Sequence, residues 1–302
     1  MTGTVLKWSL AATVLFVAIE AAAGLEAHSL ALLSDAGHNF TDALALLLAW
    51  VGYVLESKPA DEVKTYGYRR AGVLAAFVNA LALVVLAVFI FYESYRRLAS
   101  PQRVNEYIML VVAGLGLLLN TAIMWGMRRD RREDLNIRAA YLHMLGDALG
   151  SVGIIAGAIV IRYTGWERVD PLLSILIGLL IIWTAREVIQ DSLNILLEGL
   201  PKGMNLQSVA GAIRQVEGVE EVHDLHIWSL GSRTHALSCH VLIADVPPSE
   251  SEGILRRLNA VLCDRFHIAH TTVQFEHAQC AVSENGCPVS SAPTSGATQL
   301  RS

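Results

Sequence analysis

The stretch LLSDAGHNFTDALALLLAW, residues 32–50, decides how this sequence folds, because it places ionisable side chains inside an apolar run long enough to cross a membrane. A second stretch, AAYLHMLGDALGSVGIIAGAIVI at residues 139–161, repeats the arrangement. Each contains a histidine followed four residues later by an aspartate: His38 with Asp42, and His143 with Asp147. Residues four apart share one helix face, so two such helices can close four ligands around one ion.

The cost of burying these aspartates supports the metal interpretation. An aspartate at the bilayer centre costs about 2.5–3.5 kcal/mol on insertion scales, and a bound divalent cation would offset that cost. The alternative is a hydrogen-bonded His–Asp pair buried on each helix without metal. The repeated spacing, beside Gly146 and Gly150 that permit close helix packing, favours the metal site.

The donor set indicates which metals fit. Two neutral imidazoles and two carboxylates give tetrahedral nitrogen and oxygen ligation, which suits zinc, and the two negative charges balance a divalent ion. The set lacks a thiolate, so copper(I) is disfavoured. Cobalt and cadmium remain open, because affinity order alone does not select zinc.

The composition is typical of a membrane protein. Of the 302 residues, 53 % are hydrophobic and 17 % charged, and the mean hydropathy is +0.44. A membrane-spanning helix needs about 20 mostly apolar residues. The sequence predicts six such helices, at about residues 8–24, 28–55, 71–92, 107–127, 139–161 and 171–190.

The distribution of basic residues predicts the orientation. Loops on one side carry Lys58, Lys64, Arg69, Arg70, Arg128, Arg129, Arg131, Arg132 and Arg138, whereas loops on the other carry Arg96, Arg97, Arg103, Arg162 and Arg168. The positive-inside rule therefore places both termini in the cytoplasm. An alternative for the first span is a cleaved signal peptide, since Lys7 precedes an apolar run that ends in Ala21–Ala23. Retaining the span agrees with the charge bias.

A small α+β domain is predicted after the last span, beyond Leu200-Pro201-Lys202-Gly203. The order is helix (204–218), strand (223–230), strand (234–243), helix (254–266) and strand (271–277), with Ser249 and Glu252 as a capping box for the second helix. The predicted domains are a six-helix transmembrane domain at 1–199, this cytoplasmic domain at 200–280, and a disordered tail at 281–302 rich in Ser, Ala, Thr and Pro. Nucleophile motifs, phosphate loops and dinucleotide fingerprints are absent from the sequence of this domain, so no organic cofactor or nucleic-acid partner is expected.

Four segments in order resemble the cation diffusion facilitator family, and its zinc-transporting branch in particular. They are GLEAHSLALLSDAGHNFTDALAL, TYGYRRAGVLAAFVNA, YLHMLGDALGSVG and VHDLHIWSLGSRTHALSCHV. The resemblance covers nearly the whole chain. It implies a homodimer of six-helix protomers, each with a cytoplasmic domain of metallochaperone-like, ferredoxin-like fold, that exports divalent metal in exchange for protons.

The resemblance also assigns residues. It places the transport site on His38, Asp42, His143 and Asp147, as the spacing does. It implies a cytoplasmic metal site at His226, His240 and Glu276, joined by His270, where zinc would act as a regulator. The alternative for these histidines is dimer packing. It further implies a charge interlock of Arg70 with Glu198 that ties the membrane domain to the dimer axis.

One site of many family members is predicted to be missing here. The loop SKPADEVKTYGYRR, between the second and third spans, contains no histidine or cysteine. We therefore predict no transition-metal site there, and a solvated charged patch at Asp61 and Glu62.

Other polar residues lie in apolar surroundings: Glu20, Asp35, Asn39, Asn79 and Asn120. Asp35 precedes His38 by three positions, so it shares the ligand face and is predicted to line the aqueous access or take a proton. Asn39 is predicted to form an interhelical hydrogen bond, and His28 to lie at the membrane interface.

The site chemistry predicts antiport. Metal binding needs neutral histidine and ionised aspartate, so protons compete directly with the ion, and alternating access would turn that competition into exchange. Two alternatives are an intramembrane zinc metalloenzyme, which would need a positioned general base beside three ligands, and a metal sensor that signals to a partner protein. The expected location is a bacterial inner membrane, because the loops are short and the chain has no long histidine-rich insert.

The four cysteines, Cys239, Cys263, Cys280 and Cys287, all fall in the predicted cytoplasmic part. Disulfides are therefore not expected. Cys239 is predicted to be a small buried residue, and Cys280 with Cys287 to be either free thiols or metal ligands.

Overall fold

The computed structural model describes residues 2–127, 135–231 and 234–278 of the chain. Side chains are described throughout these ranges except at residues 2–13, 46, 49, 53, 127 and 135–140. The predicted tail, Cys280, Cys287 and the arginines at 128, 129, 131 and 132 lie outside the described residues.

Six long helices come first, as predicted. They are α1 (Thr2–Glu26), α2 (Leu30–Glu56), α3 (Ala71–Ala99), α4 (Glu106–Met127), α5 (Leu135–Thr164) and α6 (Val169–Leu196). Within the described residues, five segments are long and apolar enough to cross a membrane: Leu30–Glu56, Ala71–Ala99, Glu106–Gly126, Tyr141–Thr164 and Val169–Leu196. The span predicted within α1 stays a prediction.

The contacts divide the chain into two compact units, Met1–Gly52 with Ala75–Gln190, and Tyr53–Leu74 with Asp191–Ser302. The first unit holds most of the long helices, and the second holds the loop between α2 and α3 together with the α+β domain. The predicted domain limits at 199 and 280 stay predictions.

The start of α2 is fixed by a carboxylate on α6. Asp170 is fully buried, and it accepts hydrogen bonds from the Ser29 hydroxyl at 2.6 Å and from the backbone N–H groups of Leu30 at 2.8 Å and Ala31 at 3.1 Å. These N–H groups are among those that a helix N-terminus leaves without intrahelical partners, so Asp170 caps α2 from another helix. The cap fixes the helix that carries His38 and Asp42.

The second unit contains the predicted order of helix, strand, strand, helix and strand. The elements are α7 (Leu206–Arg214), β1 (Glu221–Ser229), β2 (His235–Leu242), α8 (Pro248–Phe266) and β3 (Ile268–Glu276). The sheet order is β1-β2-β3, with β2 antiparallel to β1 and parallel to β3. The prediction of a small α+β domain is confirmed.

The core of this domain lies between the two helices and one face of the sheet. Its fully buried members include Val209 and Ile213 on α7, Leu237 on β2, and Leu258 and Leu262 on α8. Strand residues alternate between this core and the opposite, partly exposed face. That second face carries the histidines.

Two predictions about α8 and β3 were wrong. The capping box fails because α8 already begins at Pro248, with Pro247 as a cap that makes no side-chain hydrogen bond. Pro248 suits the first position of the helix because the N–H group that proline lacks would have no intrahelical partner there. The third strand begins at Ile268 rather than 271, because His267 adopts a left-handed conformation (φ 56°) that ends α8 and starts the strand at once.

Candidate metal centres

The four predicted ligands of the transport site come together within the first unit. His143 Nε2 lies 3.4 Å from Asp42 Oδ2 and 3.6 Å from Asp147 Oδ2, and His38 Nε2 lies 3.7 Å from Asp42 Oδ2. The two imidazole rings meet edge to face, with centroids 6.3 Å apart. The cluster thus joins α2 to α5 through one histidine and one aspartate pair from each helix.

Three of the separations between donor atoms can be compared with those of a tetrahedral metal site. Zinc bonds of about 2.0–2.1 Å to nitrogen and oxygen, at tetrahedral angles, put donor atoms about 3.3 Å apart. The three distances, 3.4–3.7 Å, lie just above this value. Among the described residues, these four do not form a group whose ligand atoms all lie within 4.8 Å of one another, so some donor atoms would have to move closer together to bind one ion.

Two atoms of the cluster have unmet bonding capacity. Asp42 Oδ2 and His38 Nδ1 are both buried without a hydrogen-bond partner. An unpartnered buried polar atom costs free energy, and a metal ion at Asp42 Oδ2 would supply the missing interaction. The arrangement fits a cation better than the alternative of self-satisfied His–Asp pairs.

The glycines near this site behave differently from each other. A Cβ on Gly150 would meet Asp35 Oδ1 at 3.7 Å, so this glycine lies against α2, whereas a Cβ on Gly146 would meet nothing within 4 Å. Close packing is therefore seen at Gly150, whereas for Gly146, which has no such neighbour among the described residues, it stays a prediction.

A second polar group lies in the same unit. Glu20, Asp35 and Asn39 are at most 8 % exposed, and the Asn39 amide donates to Glu20 Oε2 at 3.2 Å. This bond joins α2 to α1 and confirms the interhelical hydrogen bond predicted for Asn39. His28 lies in the short turn between these helices, with an exposed side chain.

A second metal-competent cluster lies on the partly exposed face of the cytoplasmic sheet. Glu276 Oε2 is 3.2 Å from His223 Nε2, and Glu276 Oε1 is 3.1 Å from His240 Nδ1. Ligand atoms of these three residues lie within 4.8 Å of one another, and they form the one such group found among the described residues. His223 Nε2 and Glu276 Oε2 are buried without hydrogen-bond partners. Each strand contributes one ligand.

The register of the sheet explains this set. His223 pairs directly with His240 across β1 and β2, and a bulge then places His226 opposite Ser238. On β3, Gln274 pairs with His240, so Glu276 falls on the same face two residues later. The structure therefore brings the predicted His240 and Glu276 together with His223.

The other two predicted cytoplasmic ligands lie elsewhere. His226 Nε2 is 3.0 Å from Asp224 Oδ1, whose second oxygen is 3.8 Å from His240 Nε2. The His270 ring packs edge to face against Tyr66, with centroids 5.3 Å apart. Sequence reasoning did not include His223 among the ligands. Its direct pairing with His240 is the signal that would have identified it.

The predicted charge interlock has its two partners in contact. Arg70 Nη2 lies 3.1 Å from Glu198 Oε1 and also donates to the carbonyl of Ser229. Both side chains are partly exposed, at 33 % and 62 %. The contact orders the end of the α2–α3 loop, and its role in the dimer stays a prediction.

The Asp61 carboxylate forms its hydrogen bonds within the α2–α3 loop. Its carboxylate accepts from the backbone N–H groups of Lys64 and Val63 and from the Tyr68 hydroxyl. These hydrogen bonds lower the pKa of this exposed acid, and the bond from the Lys64 N–H has the largest effect. The predicted absence of a metal site in the loop stays a prediction.

The two described cysteines are free thiols. Cys239 is 1 % exposed and belongs to the core of the α+β domain, which confirms its predicted burial. Burial raises its pKa to about 12. Cys263 is exposed on α8.

Comparison with known proteins gives two family matches. The family model for the cation efflux transmembrane domain matches residues 6–197, and that for the cation efflux protein cytoplasmic domain matches residues 201–278. Together they cover both parts of the chain.

Several curated proteins are similar over most of their length. A cadmium, cobalt and zinc/H(+)-K(+) antiporter of Bacillus subtilis is 41 % identical over 264 residues, 86 % of this chain and 85 % of that protein. The metal cation efflux system protein CzcD of Cupriavidus metallidurans is 43 % identical over 91 % of this chain and 87 % of its own. The zinc transporter ZitB of Escherichia coli is 38 % identical over 91 % and 88 %.

Solved structures also match, and one that corresponds to the cytoplasmic part comes from Cupriavidus metallidurans. It is the metal-bound C-terminal domain of the CzcD transporter, 40 % identical, with a TM-score of 0.22 over 24 % of this chain and 99 % of that one.

Proposed function

We propose that this chain, which belongs to the cation efflux family, carries zinc out of the cytoplasm in exchange for protons. Membership rests on the two family matches and on relatives about 40 % identical along most of both chains. Metal efflux across a membrane is therefore its function, and it is a transporter rather than an enzyme. The metalloenzyme and sensor alternatives are set aside. The ion, the coupling and the orientation are what we propose.

Zinc is proposed from the donor set. Two imidazoles and two carboxylates, 3.4–3.7 Å apart at the closest atoms, suit tetrahedral zinc and leave the loaded site without net charge. Cadmium and cobalt, which occur in the names of similar transporters, are secondary substrates in this proposal.

Proton coupling is proposed from competition at the same atoms. Metal enters from the cytoplasm when His38 and His143 are neutral, and protons from the other side displace it by charging them after the helices rearrange. Asp35, which is buried near this site, is proposed to line the access path or carry a proton. The single observation that carries the proposal is the four-ligand cluster formed by α2 and α5.

The proposed orientation, membrane and dimer follow the sequence predictions. We place both termini in the cytoplasm of a bacterial inner membrane, and two copies in a dimer through their cytoplasmic domains. The cytoplasmic domain model that matches residues 201–278 supports this placement of the dimer contact. Zinc bound by His223, His240 and Glu276 would act as a cytoplasmic regulator that tightens the dimer.

The first experiment is zinc flux in proteoliposomes under an imposed pH gradient, with cobalt, cadmium and manganese measured in parallel. We expect zinc flux that follows the proton gradient, stops when the gradient is collapsed, and exceeds manganese flux. Zinc flux indifferent to the gradient would contradict proton coupling, and manganese flux equal to zinc flux would contradict the proposed selectivity.

The interlock has its own test. We expect Arg70→Glu and Glu198→Arg each to weaken dimerisation and flux a few-fold, since a partly exposed pair contributes at most about 1 kcal/mol. The double exchange should restore both. Single variants that lose function without rescue by the exchange would remove the interlock from the proposal.

A further inference from the structure

The second unit contains a cavity that neither metal centre uses. It has a volume of about 710 Å³ and lies between the loop that joins α2 to α3 and the ends of the cytoplasmic strands. Its lining includes Lys58, Thr65, Tyr66, Arg69 and His270, with Glu56 as its one carboxylate. This volume falls within the range of small-molecule sites.

The walls of the cavity are held together by specific contacts. Gly231 leaves no room for a side chain, because a Cβ there would lie 2.7 Å from the Arg69 carbonyl oxygen. Arg69 Nη1 donates to Thr234 Oγ1 at 3.2 Å, and the Tyr66 ring packs on His270. The loop is therefore fastened to the sheet around the cavity, and the cavity is formed before any ligand arrives.

The lining is rich in hydrogen-bond donors that have no partner in the described part of the protein. The Lys58 ammonium and the hydroxyl groups of Thr65 and Tyr66 make no hydrogen bond or ion pair there. Arg69 uses one nitrogen on Thr234 and has further N–H groups available. Two full positive charges against one carboxylate favour an anion, and Arg with Lys is the usual pair that binds phosphate.

The position of the α2–α3 loop along the chain indicates the source of that anion. The membrane segment of α2 ends at Glu56 and that of α3 begins at Ala71, so residues 57–70 are held at the membrane surface by both flanking helices. Anionic lipid headgroups concentrate at the cytoplasmic surface and attract nearby Lys and Arg side chains.

We propose that this cavity binds the phosphate group of an anionic phospholipid of the cytoplasmic leaflet, with Lys58 and Arg69 as the charged contacts. The side of the membrane rests on the proposed function, which places this loop in the cytoplasm. Because the bound headgroup would bridge the loop and the sheet, lipid composition would affect the stability of this unit.

The test uses native mass spectrometry of the full-length protein with phosphatidylglycerol and, separately, phosphatidylcholine. We expect wild type to retain phosphatidylglycerol at least about fivefold more strongly, and Lys58→Gln to lose about fivefold, the effect of one basic residue near an anionic surface. Arg69→Gln is the second variant and should show a similar loss. Equal retention of both lipids by wild type would overturn the proposal.

Lys64→Gln is the matched control, because Lys64 lies exposed in the same loop and does not line the cavity. It should retain phosphatidylglycerol like wild type, and a loss equal to that of Lys58→Gln would reduce the effect to diffuse attraction and overturn the site. Displacement of the lipid by millimolar inorganic phosphate would identify free phosphate as the ligand and also overturn it. Zinc flux in phosphatidylcholine vesicles, measured in parallel, tests the proposed function independently of the lipid result.

Discussion

The intramembrane cluster takes two ligands from each of two helices, whereas the cytoplasmic cluster takes one ligand from each of three strands. The first has two aspartates, whose charges balance a bound divalent ion and so reduce the cost of placing it in the membrane. The second has one carboxylate, His223 and His240, on a partly exposed face, and leaves a coordination position for water or another residue. In our proposal, the same residue types therefore serve ion passage in the helices and regulation by the ion in the cytoplasmic sheet.

The largest expected effect is loss of the intramembrane site. Asp147→Ala removes a buried carboxylate 3.6 Å from His143, so zinc flux should fall at least about 100-fold, because even residues that only support metal ligands cost 10–100-fold. Zinc flux in proteoliposomes measures it.

Glu62→Ala is the control for that variant, since Glu62 is an exposed carboxylate in the α2–α3 loop. Its flux should equal that of wild type. Substantial flux through Asp147→Ala would break the comparison, because the helix cluster would then not be the transport site.

The next effect concerns which histidine belongs to the cytoplasmic set. In a full-length background with Asp42→Ala and Asp147→Ala, we expect His240→Ala and His223→Ala to weaken zinc binding at least about tenfold. His226→Ala should change it little, because His226 contacts Asp224 instead. Calorimetric zinc titration distinguishes the two. A larger loss from His226→Ala than from His223→Ala would support the ligand set implied by resemblance.

A smaller effect is expected at Asp170, where a substitution should change the helical unit and leave the cytoplasmic cluster unchanged. Asp170→Asn removes acceptor capacity from the N-terminus of α2, which should lower the stability of the helical unit by about 1–2 kcal/mol and reduce zinc flux. Zinc binding by the cytoplasmic cluster should not change. Thermal unfolding followed by circular dichroism, with exposed Asp264→Asn on α8 as the control, measures it; equal shifts in both variants would refute the capping role.

The smallest expected effect concerns Cys239, in the core of the α+β domain. The pKa of Cys239 is about 12, raised from 9 by burial, so only the unfolded thiol ionises between pH 9 and 12, and the free energy of unfolding falls as the pH rises through that window. In a Cys280→Ser, Cys287→Ser background, a maleimide at pH 8 should label Cys263 and spare Cys239. Equal labelling of both would show that this core opens readily.

The helix cluster could be predicted from the sequence because a spacing of four residues places His38 and Asp42, and His143 and Asp147, on one face whatever the helices pack against. The strand cluster could be predicted only in part. His240 and Glu276 were identified, but the choice between His223 and His226 depends on a bulge that no local pattern marks. Asp170 was missed because its partners are the N–H groups of Leu30 and Ala31, about 140 residues away in the chain.

By itself, then, the sequence determined the long apolar helices, the order of elements in the α+β domain and the paired ligands of the helices, since each depends on periodicity within one element. Only the tertiary structure decided which strand residues come together as possible metal ligands, which carboxylate caps α2, and that a donor-lined cavity forms beside the α2–α3 loop. These depend on register and on contacts between distant segments, where one residue of shift moves a side chain to the opposite face of the sheet.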